Sequence, residues 1–323
     1  MQMKSIVSRS WPLFIALVLY ALLADHLSFT QDDAYITYRY VANFLNGDGL
    51  VYNIGEQVEG ITNFGWAAYL IALGSLGLNY ILASKITGFI FGAGIILLTG
   101  LLTRVVLPKS NLFVQWLPVF LVACNQSLAY WAPAGLETAA FAFFSMLSLY
   151  LFLHRSRWLI ATLLVCVLLR PEGALVSGLL ILIELVVERR IPRFTLTCVA
   201  AAFVLSLPYV GFKLYYYGSI LPNPFYAKTG LHADVFVSGL EYAGRFFAHY
   251  GFFGVGFLGS ALLWSRLARS GRTVLLYAAA YTVYIIIVGG DVLKVHRFFL
   301  PLFGPAAILV ALVAQHVTSR MRV

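Results

Sequence analysis

The sequence predicts an all-α polytopic membrane protein, with about ten transmembrane helices and interfacial helices in its outer loops. Three observations support that class. The 323 residues are 61% hydrophobic and only 11% charged, where a soluble domain carries about a quarter charged residues. Apolar runs near the ~20 residues that cross a ~30 Å hydrocarbon core recur from Trp11 to the C-terminus. Lys and Arg gather in short connectors between those runs, the pattern of basic loops kept on the cytoplasmic side. Lipid offers no partner to an unpaired backbone group, so repeated helices are the solution open to such a chain. A membrane barrel would alternate with period two, and runs such as 86–102 and 141–153 do not.

In chain order the expected spans are 11–29, 79–103, 112–130, 136–153, 157–169, 173–187, 194–213, 251–264, 273–289 and 298–316. The first follows Lys4 and Arg9 like a secretory signal, but no A-x-A site lies near 21–24 and further spans follow. It reads as a retained anchor. Placing the short basic connectors inside puts both termini in the cytoplasm with fourteen of the 22 Lys and Arg. The other side then holds every acidic residue except Glu184 and Glu188. Between the outer loop at 30–63 and the basic connector at 104–111 the chain must cross an odd number of times. The apolar segment 64–78 is therefore expected to be interfacial or re-entrant. The whole chain, 1–323, reads as a single transmembrane domain with a first outer loop at 30–63, a second at 214–250 and no soluble domain. In the first, Tyr35, Ile36, Tyr38, Val41 and Leu45 recur on one helical face, and Gly47-Asp48-Gly49 ends that helix.

The net charge of +9 is spread over short loops, which excludes a nucleic-acid partner and leaves membrane lipids. Cys124, Cys166 and Cys198 lie in apolar runs, so neither a disulfide nor a zinc framework is expected.

The chemistry-bearing residues fall in the outer loops. Asp32-Asp33 follows the first span, and two adjacent carboxylates can hold a divalent cation, or one can act as general base while the other positions it. The alternative is a helix N-terminus, which suits acidic residues. Glu59 precedes Thr62 and Asn63, either of which could cap the helix that follows. Arg170-Pro171-Glu172-Gly173 is set by depth. From Arg157 to Arg170 is ~20 Å of helix against a ~30 Å core, so Arg170 and Glu172 lie below the outer surface, facing a cavity or each other. Lys228, Lys294, His296 and Arg297, with Arg170, supply cations that suit a phosphate-bearing substrate, and Lys294 reads better as an interfacial anchor. Trp131 and Glu137 flank Pro133-Ala134-Gly135 on the same side.

Taken together, several motifs resemble one family. They are Asp32-Asp33-Ala34-Tyr35 with Arg39-Tyr40, Gly49-Leu50-Val51-Tyr52-Asn53, Glu59-Gly60 with Thr62-Asn63, and Gly135-Leu136-Glu137-Thr138. Leu169-Arg170-Pro171-Glu172-Gly173, Asn223 with Phe225-Tyr226-Ala227-Lys228, and Gly290-Asp291 with His296-Arg297-Phe298 complete the set. The chain is similar to the mycobacterial-type terminal arabinofuranosyltransferases, of the C-type (GT-C) glycosyltransferase superfamily; it has Ile61 where that family usually has Tyr. The resemblance implies transfer of an arabinofuranose-like sugar, with inversion, from a polyprenyl-phosphate donor to an acceptor outside a bacterial cytoplasmic membrane. It implies Asp32 or Asp33 as the catalytic carboxylate, with a divalent cation, Mg or Mn, as a candidate cofactor on that pair. Arg170, Lys228, His296 and Arg297 would bind the donor phosphate. Arg39, Glu59, Asn63, Glu137, Glu172, Asn223, Tyr226 and Asp291 would contact substrate. Asp32, Asp33, Glu59, Arg170, Glu172, Lys228, His296 and Arg297 are expected to line one cavity open to the outer face. Two competing readings are a lipid-linked substrate transporter or flippase, which would show repeats and broken spans in matching halves, and a lipid-binding scaffold, which needs no paired Asp.

Overall fold

The computed structural model describes residues 2–220, 222–223 and 233–320, with side chains from Trp11 onward. Among these residues every regular element is helical. In chain order they are α1 (Gln2–His26), α2 (Asp32–Leu45), α3 (Phe64–Ser75), α4 (Tyr80–Val106), α5 (Leu112–Ala123), α6 (Gln126–Trp131) and α7 (Thr138–Leu153). There follow α8 (Leu159–Leu169), α9 (Gly173–Glu188), α10 (Arg193–Tyr217), α11 (Ala233–His249), α12 (Gly251–Leu262), α13 (Arg269–Ile287) and α14 (Phe303–Arg320), the last entered through a 3-10 turn at Arg297–Leu302. Each expected span coincides with a helix. By length and composition α4, α10, α13 and the continuous run Arg297–Arg320 are able to cross a membrane, and shorter apolar helices of 10–17 residues fill the intervals.

Two differences from the expected spans have local causes. Span 112–130 is two helices, because the Asn125 side chain accepts from Leu128 N at 3.2 Å and starts α6 afresh. The last span opens as a 3-10 turn around Pro301, which has no N–H for an α-helical bond. The second outer loop holds a 17-residue helix, α11. Segment 64–78 forms α3, a 12-residue apolar helix.

The chain divides into two compact units, Met1–Ser28 with Phe91–Trp131 and His232–Val323, and Phe29–Ile90 with Ala132–Leu231. In the second unit α7, α8, α9 and α10 form a bundle, α3 packs on α8, and α2 packs on α3. Pro171 disfavours the α region for the residue before it, so Arg170 is extended (φ −155°, ψ 145°) and α8 ends there. At one end of the bundle Arg155 Nη1 meets Glu184 Oε1 at 2.5 Å and Thr195 Oγ1 at 2.9 Å, tying the α7–α8 turn to α9 and α10. Arg157, Arg189, Arg190 and Arg193 belong to the same end by their places in the chain. The acidic candidates lie at the other end, one helix length away.

In the first unit α14 packs on α12, α5 and α13, α11 packs on α13, and α1 packs on α5 and α6. Its two ends are also distinct. Arg266 lies 3.2 Å from His316 near the C-terminus of α14. At the opposite end Trp131 Nε1 donates to Val295 O at 2.9 Å, and Ser127 and Tyr250 share a hydrogen bond of 2.7 Å.

Candidate active site

Helix α2 carries the carboxylate pair. Its buried face is Ala34, Thr37, Tyr38 and Val41, spaced three and four apart. Tyr35 and Ile36, expected on that face, are exposed instead, because the face turns toward Thr37. Asp32 and Asp33 occupy the first turn, where the helix dipole favours negative charge, and both are exposed. The N-cap position belongs to Gln31, which makes no side-chain cap. Asp32 Oδ1 accepts from Asp33 N at 3.0 Å and from the Gln31 amide, and the Asp33 carboxylate has no such partner among the described residues.

Beneath the pair lies a buried polar network. Asn63 occupies the N-cap position of α3 but does not cap it. Its amide donates instead to Glu137 Oε2 at 2.8 Å and to Thr37 Oγ1 at 3.1 Å. Glu137 Oε1 stands 3.7 Å from Arg170 Nε, and Arg170 Nη2 donates to Glu172 Oε1 at 3.1 Å. Phe141 lies under the guanidinium at 5.6 Å. Arg170 is buried, and it is also paired. Gln31 N donates to Ala134 O at 3.0 Å and Trp66 Nε1 to Gly135 O at 3.1 Å, so the turn at 132–137 fixes the start of α2 and α3 together.

Glu59 is 4% exposed and pairs with Lys213 of α10, Nζ to Oε2 at 2.8 Å. Burial holds its carboxyl above the usual carboxylate range, and Lys213 opposes that shift. The Glu59 carbonyl accepts from Asn223 N at 3.0 Å, so Asn223 meets the loop through its backbone. Lys213 was not among the expected site residues. Its signal was a lone Lys in an apolar span, the default mark of a functional or paired group. Arg39 is exposed, and its Nε donates to Tyr52 O at 3.3 Å. Tyr226 and Lys228 lie outside the described residues.

Asp291, His296 and Arg297 belong to the first unit. Arg297 is 9% exposed and held by Asp291 through Nε–Oδ2 at 2.7 Å and Nη2–Oδ1 at 3.3 Å, with Trp131 under it at 5.5 Å. Trp131 is itself 1% exposed, a buried support for the guanidinium. Val295 and His296 both have positive φ, 64° and 52°. A β-branched residue there is strained, a feature that clusters at functional sites. The His296 ring sits among Tyr242, Phe246, His249 and Tyr250 at 5.5–5.9 Å, and its Nδ1 has no hydrogen-bond partner among the described residues. Burial, with His249 and Arg245 adding to it, lowers its pKa to about 4. That shift favours the neutral imidazole over the cationic form. Lys294 is exposed, as an anchor would be. Of the residues expected to line one cavity, Asp32, Asp33, Glu59, Arg170 and Glu172 belong to the second unit and His296 and Arg297 to the first, and Lys228 lies outside the described residues.

No family model matches the chain. It is similar to the terminal beta-(1->2)-arabinofuranosyltransferase of Corynebacterium glutamicum, 27% identical over 338 residues, covering 85% of this chain and 46% of that protein. It is also similar to the Mycobacterium tuberculosis protein of the same name, 29% identical over 234 residues, covering 67% of this chain and 37% of that one. The chain thus spans less than half the length of these curated relatives. Among solved structures it superimposes on ArnT from Cupriavidus metallidurans in the apo state with a TM-score of 0.71 at 14% identity, covering 100% of this chain and 62% of that one. The same protein bound to undecaprenyl phosphate gives 0.62 at 12% identity, covering 100% and 63%. The chain therefore has the GT-C-like all-α membrane fold.

Proposed function

We propose that this chain is a membrane glycosyltransferase that moves an arabinofuranose-like sugar from a polyprenyl-phosphate donor to an acceptor hydroxyl outside the cytoplasmic membrane. The similarity to two proteins named as arabinofuranosyltransferases supports the sugar. The likeness to a fold that binds undecaprenyl phosphate supports the carrier. The observation that carries the mechanism is an exposed carboxylate pair on a helix pinned from below through Thr37, Asn63 and Glu137 to Arg170. Such a scaffold holds a reacting group in place without ordering it during the reaction.

Asp33, whose carboxylate is open, is the proposed general base, and Asp32, engaged by Gln31 and by Asp33 N, is its positioning residue. The base takes the acceptor O–H proton, the oxygen attacks the anomeric carbon, and the bond from that carbon to the phosphate oxygen breaks with its electron pair on the phosphate. Configuration at the anomeric carbon inverts. The products are the glycosylated acceptor and polyprenyl phosphate, with the proton passing from Asp33 to solvent. Arg170 is the proposed partner of the developing phosphate charge within its unit. Arg297 is a separate candidate, each guanidinium oriented by its own carboxylate partner. No group of three His, Cys, Asp or Glu among the described residues is placed to hold a metal ion, and the exposed Asp32–Asp33 pair would supply only part of a cation's oxygen ligands.

Purified protein in detergent, given polyprenyl-phosphate arabinofuranose and a pentofuranosyl acceptor, is expected to consume the donor and form a product of inverted anomeric configuration by NMR. Retained configuration would exclude the single displacement, and an unconsumed donor would exclude the proposed substrate.

A further inference from the structure

The first outer loop folds into an open cleft of about 280 Å³ that no role assigned above uses. Ile36, Tyr52 and Val58 form its apolar part, and Asn53 and Glu56 its polar part. The cleft is built on fixed backbone. Tyr40, which has no exposed surface, donates from its hydroxyl to Val58 O and accepts from Gly60 N, both at 2.7 Å. Asn43 donates to Val51 O and Tyr52 O at 2.9 Å, and Arg39 also reaches Tyr52 O. Tyr52 is therefore held by its backbone while the residue stays 45% exposed.

The chemistry of this cleft selects its occupant. Asn53 Nδ2 donates to Glu56 Oε2 at 2.9 Å, which leaves Glu56 Oε1 and Asn53 Oδ1 as hydrogen-bond acceptors. A phosphate would be repelled by the Glu56 carboxylate. A polyprenyl chain would desolvate that carboxylate without compensating it. A neutral saccharide has an apolar C–H face for an aromatic ring and hydroxyl donors for the acceptors. The geometry points to a saccharide subsite of the acceptor, with one sugar ring stacked on Tyr52 and its hydroxyls donating to Glu56 and Asn53. The word acceptor rests on the glycosyltransferase reading; the saccharide does not.

Two measurements keep these apart. Binding of a pentofuranosyl disaccharide to the detergent-purified full chain, followed by saturation-transfer NMR, is expected to weaken at least ~10-fold in Tyr52→Ala and to recover in Tyr52→Trp, which keeps the aromatic face. Glu56→Gln should weaken it less, because the amide oxygen still accepts. In transfer assays Tyr52→Ala should raise the acceptor KM with the donor KM unchanged. No disaccharide binding to the native chain, or equal binding by native and Tyr52→Ala proteins, overturns the subsite whatever the transfer assay gives. A rise in the donor KM instead would give the cleft to the donor and overturn it as well. Tyr52-dependent binding without any sugar transfer would support the subsite and remove the glycosyltransferase reading.

Discussion

Glu59 and Lys213 set the test at the scale of single residues, since each is buried and each compensates the other. Removing one partner of a buried pair costs about 3–5 kcal/mol, because the charge left behind has neither water nor counter-ion. Lys213→Met should therefore lower thermal stability. The sign with pH follows from Glu59, whose folded-state pKa is raised above 4.5 by burial. A raised carboxyl favours folding while protonated, so the destabilisation of Lys213→Met should grow as pH rises through that value and shrink below it. Equal losses at pH 4.5 and pH 8 by thermal denaturation would contradict the pairing. His296 has the opposite sign. Its pKa falls from 6.5 to about 4, so its contribution is present above 6.5 and lost as pH falls toward 4. The native protein should lose more stability than His296→Gln over that interval, and parallel stability curves would contradict a buried neutral imidazole. The sequence showed Glu59 and His296 as candidates but not their states. A charge in a loop acquires its meaning from burial, and Lys213, a lone Lys in an apolar span, acquired its partner only when α10 was laid beside the loop.

At the scale of elements the hydropathic runs were legible because lipid and core impose the same demand on about 20 consecutive residues. The break in 112–130 was not, since a single Asn125 amide makes it. Nor was the second partner of Arg170, because Glu137 reaches it from a different helix. The turn that unites α2, α3 and α7 depends on Gly135, at φ 89°, where an added Cβ would lie 2.3 Å from the Tyr38 hydroxyl. Positive φ and that contact each penalise a side chain. Gly135→Ala should cost on the order of 1–3 kcal/mol and reduce transfer, because Ala134 and Gly135 carry the carbonyls that fix Gln31 and Trp66. Unchanged stability and activity together would show that this turn does not position the carboxylates.

At the scale of the molecule, the sorting of charge is the feature on which sequence and structure agree most closely. Within the second unit Arg155, Arg157 and Glu184 lie at one end of the bundle, and Asp32, Asp33, Glu59, Glu137 and Glu172 at the other. If the basic end is cytoplasmic, Cys at position 57 should react with a membrane-impermeant maleimide in intact cells. Cys at position 154 should react only after permeabilisation, both placed in a Cys124→Ala background because Cys124 is exposed. Labelling of both from the same side would refute the topology.

The central claim, that a carboxylate of the first outer loop performs the transfer, is tested most directly by comparing turnover of polyprenyl-phosphate arabinofuranose in Asp33→Asn, Asp32→Asn and the native protein at equal donor binding. The amide keeps the shape and removes the base, so Asp33→Asn should lose at least ~10²-fold, and Asp32→Asn, which alters only the positioning of its neighbour, should lose less. Near-native turnover in both variants would contradict the carboxylate mechanism.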